Sequence, residues 1–155
     1  MTVRTVALDT FVIERTYNVS VGQVYRAWAE PKLKARWFAG SVDALDASYE
    51  LDFRVGGREV NRGGPPGGPV YTYESQFRDI VPEERIIYTY EMYADKSRIS
   101  VSVATVQFHD HDATTRLVLT EQGVFLDGHD TVAQREEGTR TLLESLAVLL
   151  DKGEA

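Results

Sequence analysis

The stretch TVAQREEGTRTLLESLAVLLD, Thr131 to Asp151, decides the fold. Leu142, Leu143, Leu146, Leu149 and Leu150 recur at i, i+1, i+4, i+7 and i+8, so a helix places them on one face. Arg140, Glu144, Asp151 and Lys152 fall largely off that stripe. A helix of about 20 residues is roughly 30 Å long, enough to cross a curved sheet from end to end. The apolar stripe needs a surface to cover. What precedes it is a run of short alternating segments that read as antiparallel strands.

Working back from the helix, Gly123 to Asp130 reads as the last loop. Arg98 to Phe108 and Thr115 to Glu121 read as a hairpin about the turn HDHDAT. Val70 to Val81 and Arg85 to Tyr93 form another hairpin, broken by Pro82-Glu83. GGPPGGP, Gly63 to Pro69, is a loop between strands and too short for a domain linker. Tyr49, Leu51, Phe53 and Val55 alternate with Glu50, Asp52 and Arg54 as a half-buried strand, turned by Gly56-Gly57 into a short return strand, Arg58 to Asn61. Phe11 to Val19 is a first strand. Ser20 with Gln23 three residues on is a capping-box signature for a short helix whose face is Val21, Val24, Tyr25 and Trp28. Pro31 suits the first turn of a second short helix carrying Leu33, Trp37 and Phe38, with Gly40 as its end. The order is strand, two short helices, about six strands, long helix: α+β with a meandering antiparallel sheet.

The 155 residues are read as one domain, residues 1–155, with its core in 11–151. There is no cysteine, which removes disulfides, thiolate metal sites and cysteine nucleophiles. A net charge of −7 argues against nucleic acid and against an anionic membrane surface. No run of about 18 apolar residues exists, so no membrane insertion is expected. Met1 to Thr10 lacks a signal-peptide core, and cytoplasmic location follows by default.

Several stretches carry a family resemblance. They are Trp28 with Pro31-Lys32-Leu33 and Trp37-Phe38, then Asp52-Phe53-Arg54-Val55-Gly56-Gly57. Val81-Pro82-Glu83-Glu84-Arg85-Ile86, Thr120-Glu121-Gln122-Gly123 and the leucine-rich closing helix complete the set. Over Phe11 to Asp151 the chain resembles the SRPBCC superfamily, also called START-like or helix-grip proteins. Within it, the chain is most similar to the group named after the C-terminal domain of the activator of heat-shock protein 90 ATPase. The resemblance implies a helix-grip fold: a curved sheet of six or seven strands wrapped around the C-terminal helix, with a hydrophobic cavity between. Members bind lipids, polyketides, hormones and aromatic compounds, and a few are cyclases or hydrolases, so no shared catalytic motif carries over. Relatives often place Trp after the Gly of the last helix, whereas Gly138 is followed here by Thr139.

The candidate ligand-binding residues are Trp37, Phe38, Phe53, Tyr71, Tyr73, Tyr88, Tyr90, Phe125 and Gly138. Tyr71 and Tyr73 share a strand face, as do Tyr88 and Tyr90; each offers an apolar ring and an orienting hydroxyl. The plainer reading is that Tyr packs well on strands. Trp37 and Phe38 on the second helix, and Phe125 and Leu126 in the final loop, would gate the mouth of the grip. Gly138 costs about 1 kcal/mol inside a helix relative to Ala, which a close approach over the cavity would explain. Glu74, Glu91 and Glu121 lie in strands, where an inward carboxylate could act as acid or base. Solvent exposure is the simpler reading of all three, and alternation between tyrosines supports it for Glu74 and Glu91. HDHD, His109 to Asp112, resembles a metal cluster but suits a polar turn, so no metal is expected. GGPPGGP lacks the ending and the helix of a phosphate loop. No Ser-His-Asp triad can be assembled.

The expected function is small-molecule binding, of a hydrophobic, aromatic or lipid-like ligand, with no cofactor. A cyclase- or hydrolase-type enzyme using the same cavity is the alternative, and an inward carboxylate with a tyrosine or arginine in reach is what would favour it. A cochaperone-like interaction with a heat-shock ATPase is a third reading, resting on the family name. The partners expected are a small hydrophobic molecule and, through exposed strand edges, a second copy in a homodimer.

Overall fold

The computed structural model describes residues 3–39 and 45–153, the side chains at 45–47 excepted. Gly40, read above as a helix end, lies outside the described residues. The elements run β1 (Val6–Tyr17), α1 (Val21–Ala29), α2 (Pro31–Phe38), β2 (Leu45–Leu51), β3 (Arg58–Gly64), β4 (Tyr71–Val81), β5 (Arg85–Ala94), β6 (Ser97–His111), β7 (Thr114–Leu126) and α3 (Val132–Asp151). Seven strands form one antiparallel sheet in the order β1-β7-β6-β5-β4-β3-β2. Strands β2 to β7 follow one another as hairpins, and β1 returns to pair with β7. This is the α+β helix-grip architecture that the sequence implies.

The local signals act as read. Ser20 caps α1 with a full capping box closed by Gln23, and Pro31 opens α2. Thr131 caps α3, its hydroxyl accepting from Gln134 N at 3.1 Å. Leu143, Leu146, Leu149 and Leu150 are buried against the sheet, with Leu142 packed at the margin. The Tyr17 hydroxyl donates to the Leu143 carbonyl at 3.1 Å and ties α3 to β1. Glu144, off the stripe, pairs with Arg15 at 2.7 Å.

Strand β1 runs from Val6 to Tyr17 and not from Phe11 to Val19, and β3 continues to Gly64, into the stretch read as loop; three further differences move candidate residues. Strand β7 runs through Gly123 to Leu126, which read as loop, because it is paired on both sides: Val124 faces Leu8 of β1 and Val101 of β6. His109 to His111 belong to β6, and the turn is only Asp112-Ala113. Asp112 is left-handed there (φ 63°), and the Asp110 carboxylate accepts from Asp112 N at 2.8 Å. Third, β2 ends at Leu51, so Asp52 to Val55 form a turn and not a strand. A Cβ at Gly57 would sit 2.1 Å from the Asp52 carbonyl oxygen, so the tight return into β3 admits only glycine.

Candidate ligand cavity

Between α3 and the inner sheet face lies a cavity of about 360 Å³. Period-2 alternation turns Tyr73 of β4, Tyr88 and Tyr90 of β5, and Leu119 and Glu121 of β7 to this face. The helical period brings Arg135, Gly138, Thr139, Leu142 and Leu143 of α3 over it. Trp28, Trp37 and Phe38 form the side wall. Trp37 is fixed there by its indole N–H, which donates to the Ala27 carbonyl at 2.8 Å, and by edge contacts to Trp28 and Phe38.

One end is polar. The Tyr90 hydroxyl donates to the Glu121 carboxylate, 2.8 Å from each oxygen, and accepts from Arg135 Nη1 at 2.9 Å. Arg135 Nη2 donates to Ser100 Oγ at 2.8 Å and to Asp130 Oδ2 at 2.9 Å. Its guanidinium stands 3.6 Å from Glu121 and over the rings of Tyr90 and Phe125. Glu121 is only 3% exposed. Burial pushes its carboxyl above the ordinary range, while Tyr90 and Arg135 hold it down. Burial also raises the phenols of Tyr73, Tyr88 and Tyr90, which therefore stay protonated donors. Two lining groups have unmet capacity: the Trp28 indole N–H is buried and, among the described residues, has no hydrogen-bond partner, and the Tyr73 hydroxyl, buried beside Ser75 and Tyr88, makes no hydrogen bond of good geometry.

Behind the aromatic wall is a second buried cluster. Lys34 Nζ donates to both oxygens of Glu59 at 3.0 and 2.9 Å, and the Tyr49 hydroxyl donates to Glu59 at 2.5 Å. The ammonium lies 4.2 Å from the ring centroid of Phe38 and also faces Trp28 and Trp37. Burial pulls the Lys34 amine below its usual range, and Glu59 opposes it.

Of the candidate residues, Trp37, Phe38, Tyr73, Tyr88, Tyr90 and Gly138 line the cavity. Phe53 does not. The turn after β2 carries it to the other end of the core, against Tyr25 and Phe77. Tyr71 stands further along the inner face, 41% exposed, outside the main cavity. Phe125 is in β7 and not in a gating loop; it is buried under Arg135. Gly138 has no close approach to explain it, since a Cβ there would meet open space. Glu121 faces inward, against the solvent reading, whereas Glu74 and Glu91 are part-exposed beside Arg58 and Arg98. Sequence reasoning passed over Arg135, Lys34 and Glu59, and weighed Glu121 only to favour solvent for it. Parity could have found Glu121, two residues from Leu119. The leucine stripe extended back by i−7 from Leu142 reaches Arg135, and Lys34 precedes Trp37 and Phe38 by three and four. Glu59 carries no such signal beyond its alternation with Asn61. Among the described residues, no group of three His, Asp or Glu could hold a metal ion. No described helix is long and apolar enough to cross a membrane.

An antiparallel sheet gripping one long helix over a part-aromatic cavity defines a helix-grip protein. The chain belongs to the family described as activator of Hsp90 ATPase homolog 1-like protein, whose model matches residues 18–151. It is similar to a solved protein from Rhizobium leguminosarum, at 40% identity over 97% of this chain and 99% of that one, with a TM-score of 0.92. A protein from Rhizobium loti is 45% identical over 93% of this chain and 98% of that one, with a TM-score of 0.85. A Chromobacterium violaceum protein shares the fold at 21% identity and a TM-score of 0.73, over 90% of this chain and 95% of that one. No curated protein matches the chain significantly.

Proposed function

We propose that this chain binds a small hydrophobic or aromatic molecule in the cavity between α3 and the sheet. One observation carries the reading. A cavity of about 360 Å³ has a mainly aromatic and aliphatic lining in which two buried donors, on Tyr73 and Trp28, make no hydrogen bond of good geometry. Ligand sites are typically about 300–1,000 Å³, mostly apolar, with a few orienting polar groups. A buried donor left unpaired costs about 1–3 kcal/mol, and a ligand acceptor recovers it. Thermal shift and native mass spectrometry against fatty acids, polyketides and aromatic acids test this, alongside Gly138→Trp. The substituted position faces open space at the cavity, so the indole should plug the site with the fold intact. A shift seen with the native chain and lost in the variant supports binding. No shift from any compound overturns it.

A second reading, an enzyme of cyclase or hydrolase type, is favoured by Glu121. This inward carboxyl, with its proton affinity raised by burial, is bonded to Tyr90 and close to Arg135. Such a group can take or give a proton. Glu121→Gln should then abolish turnover of a bound compound while leaving its binding. Recovery of every bound compound unchanged would leave binding as the whole function. A homodimer would form by pairing a sheet edge, β1 or β2, with a second copy, and sedimentation tests it.

A further inference from the structure

We infer that the cavity is the inner part of a longer site, shaped for an elongated, uncharged molecule. Its occupant has a ring-sized head, a hydrogen-bond acceptor part-way along and an apolar tail. The inference rests on the small-molecule reading above and names the ligand's shape and chemistry.

A second hollow of about 220 Å³ lies on the same inner face of the sheet. Asn61, Tyr73 and Met92 wall both spaces, so these three residues form a neck between them. Beyond the neck the walls are Arg62, Gly63 and Gly64 toward the end of β3, and Tyr71 at the start of β4, with Arg62 already engaged in an interaction of its own. Among the described residues, none of α3 lines this outer space, so the helix roofs the inner compartment alone. The glycines contribute no side chains to fill it. Tyr71, two residues from Tyr73, presents its ring on the same face while remaining 41% exposed. An aromatic ring half in water beside an apolar hollow is a surface for an alkyl chain.

Tyr73 supplies the polar element. It walls both compartments, stays protonated, and its buried hydroxyl makes no hydrogen bond of good geometry to the neighbouring Ser75 or Tyr88. An acceptor such as a carbonyl oxygen at the neck would meet it. None of the three neck residues is charged, so an ionised group halted there would be buried unpaired. The charged side chains of the inner end, Glu121, Arg135 and Asp130, already engage one another or Tyr90.

The test uses the whole chain with straight-chain alkyl phenyl ketones of increasing length, and alkylbenzenes of matched length. Quenching of Trp28 and Trp37, which line the inner compartment, reads binding. Affinity should tighten about fourfold per methylene, the effect of burying one CH₂, and then level off when the outer hollow is full. Tyr71→Ala should weaken the long ketones several-fold and leave acetophenone unchanged. Tyr73→Phe should weaken ketones and spare alkylbenzenes. If acetophenone binds but affinity is flat with length, the outer compartment is not part of the site and this inference fails while the binding reading stands. If ketones and alkylbenzenes respond alike to Tyr73→Phe, the anchor is wrong. If no member of either series binds, the binding reading falls and this one with it.

Discussion

Two clusters each join a carboxylate, a cation and a tyrosine in the interior, one on either side of the aromatic wall. Lys34, Glu59 and Tyr49 are closed on themselves. The ammonium touches both carboxylate oxygens within 3.0 Å, and neither Lys34 nor Glu59 reaches the cavity. Arg135, Glu121 and Tyr90 are open. The guanidinium stays 3.6 Å from the carboxylate and spends its donors on Tyr90, Ser100 and Asp130, while all three side chains line the cavity. Both Glu121 oxygens lie 2.8 Å from the one Tyr90 hydroxyl, and the carboxylate forms part of the cavity wall. The first arrangement is a brace between α2 and β3. The second is a polar end to a binding site. Equal residue types thus do different work according to whether they stand in the cavity wall or behind it.

The brace should break hardest. Glu59→Gln leaves Lys34 without its counter-charge in a fully buried place, and should cost about 3–5 kcal/mol in urea unfolding. The double variant Lys34→Met, Glu59→Leu should recover most of that, because an apolar pair of similar volume needs no desolvation offset. A single variant that costs less than about 1 kcal/mol would mean water reaches the pair. At the open cluster Arg135→Met should cost about 1.5–3 kcal/mol, since other elements still cover the site but charge-assisted bonds to Asp130, Ser100 and Tyr90 are lost.

The two clusters also part company with pH. Glu121 binds its proton more tightly folded than unfolded, so the folded state holds more protons between the ordinary carboxyl value of 4.5 and its raised one. Stability contributed by this group is therefore complete at acid pH and declines as pH rises through that window. Glu121→Gln should remove that decline from a series of urea unfolding curves. An unchanged slope would show that another group carries it.

How far the chain could be read differs between the same regions. The long helix, the hairpins and the caps were legible because each rests on near-neighbour chemistry: the leucine spacing, the Ser20–Gln23 box, Pro82-Glu83 between two strands. Half of the wall was legible too, since alternating tyrosines announce a shared face. The charged residues were not, because burial of a charge contradicts the prior that charges face water. Lys34 and Glu59 are 25 residues apart, and only the fold lays α2 beside β3. Phe53 misled because its alternation with Leu51 continues through a turn that backbone sterics at Gly57 impose.

A smaller effect sharpens the contrast between roof and wall. Gly138 sits within α3 with nothing near a Cβ, so Gly138→Ala should gain about 0.5–1 kcal/mol from helix propensity alone. A loss on thermal unfolding would reveal a contact at this position.

The finest comparison sets Tyr73 against Tyr90, whose ring centroids are 4.7 Å apart on adjacent strands. Tyr90 is a hub: its hydroxyl gives one hydrogen bond and accepts another from charged partners. Tyr90→Phe strands both, and should cost about 1.5–3 kcal/mol. Tyr73 has the same ring, burial and donor, with no hydrogen bond of good geometry. Tyr73→Phe removes a polar group that the ligand-free protein keeps at a cost. It should therefore leave stability unchanged or raise it by up to about 1 kcal/mol, while lowering affinity for any ligand that carries a carbonyl. Loss of stability would place an ordered water on the hydroxyl, and the group would then be structural. Stability kept while affinity drops is the signature of a residue held ready for a guest, and that pairing separates Tyr73 from its neighbour.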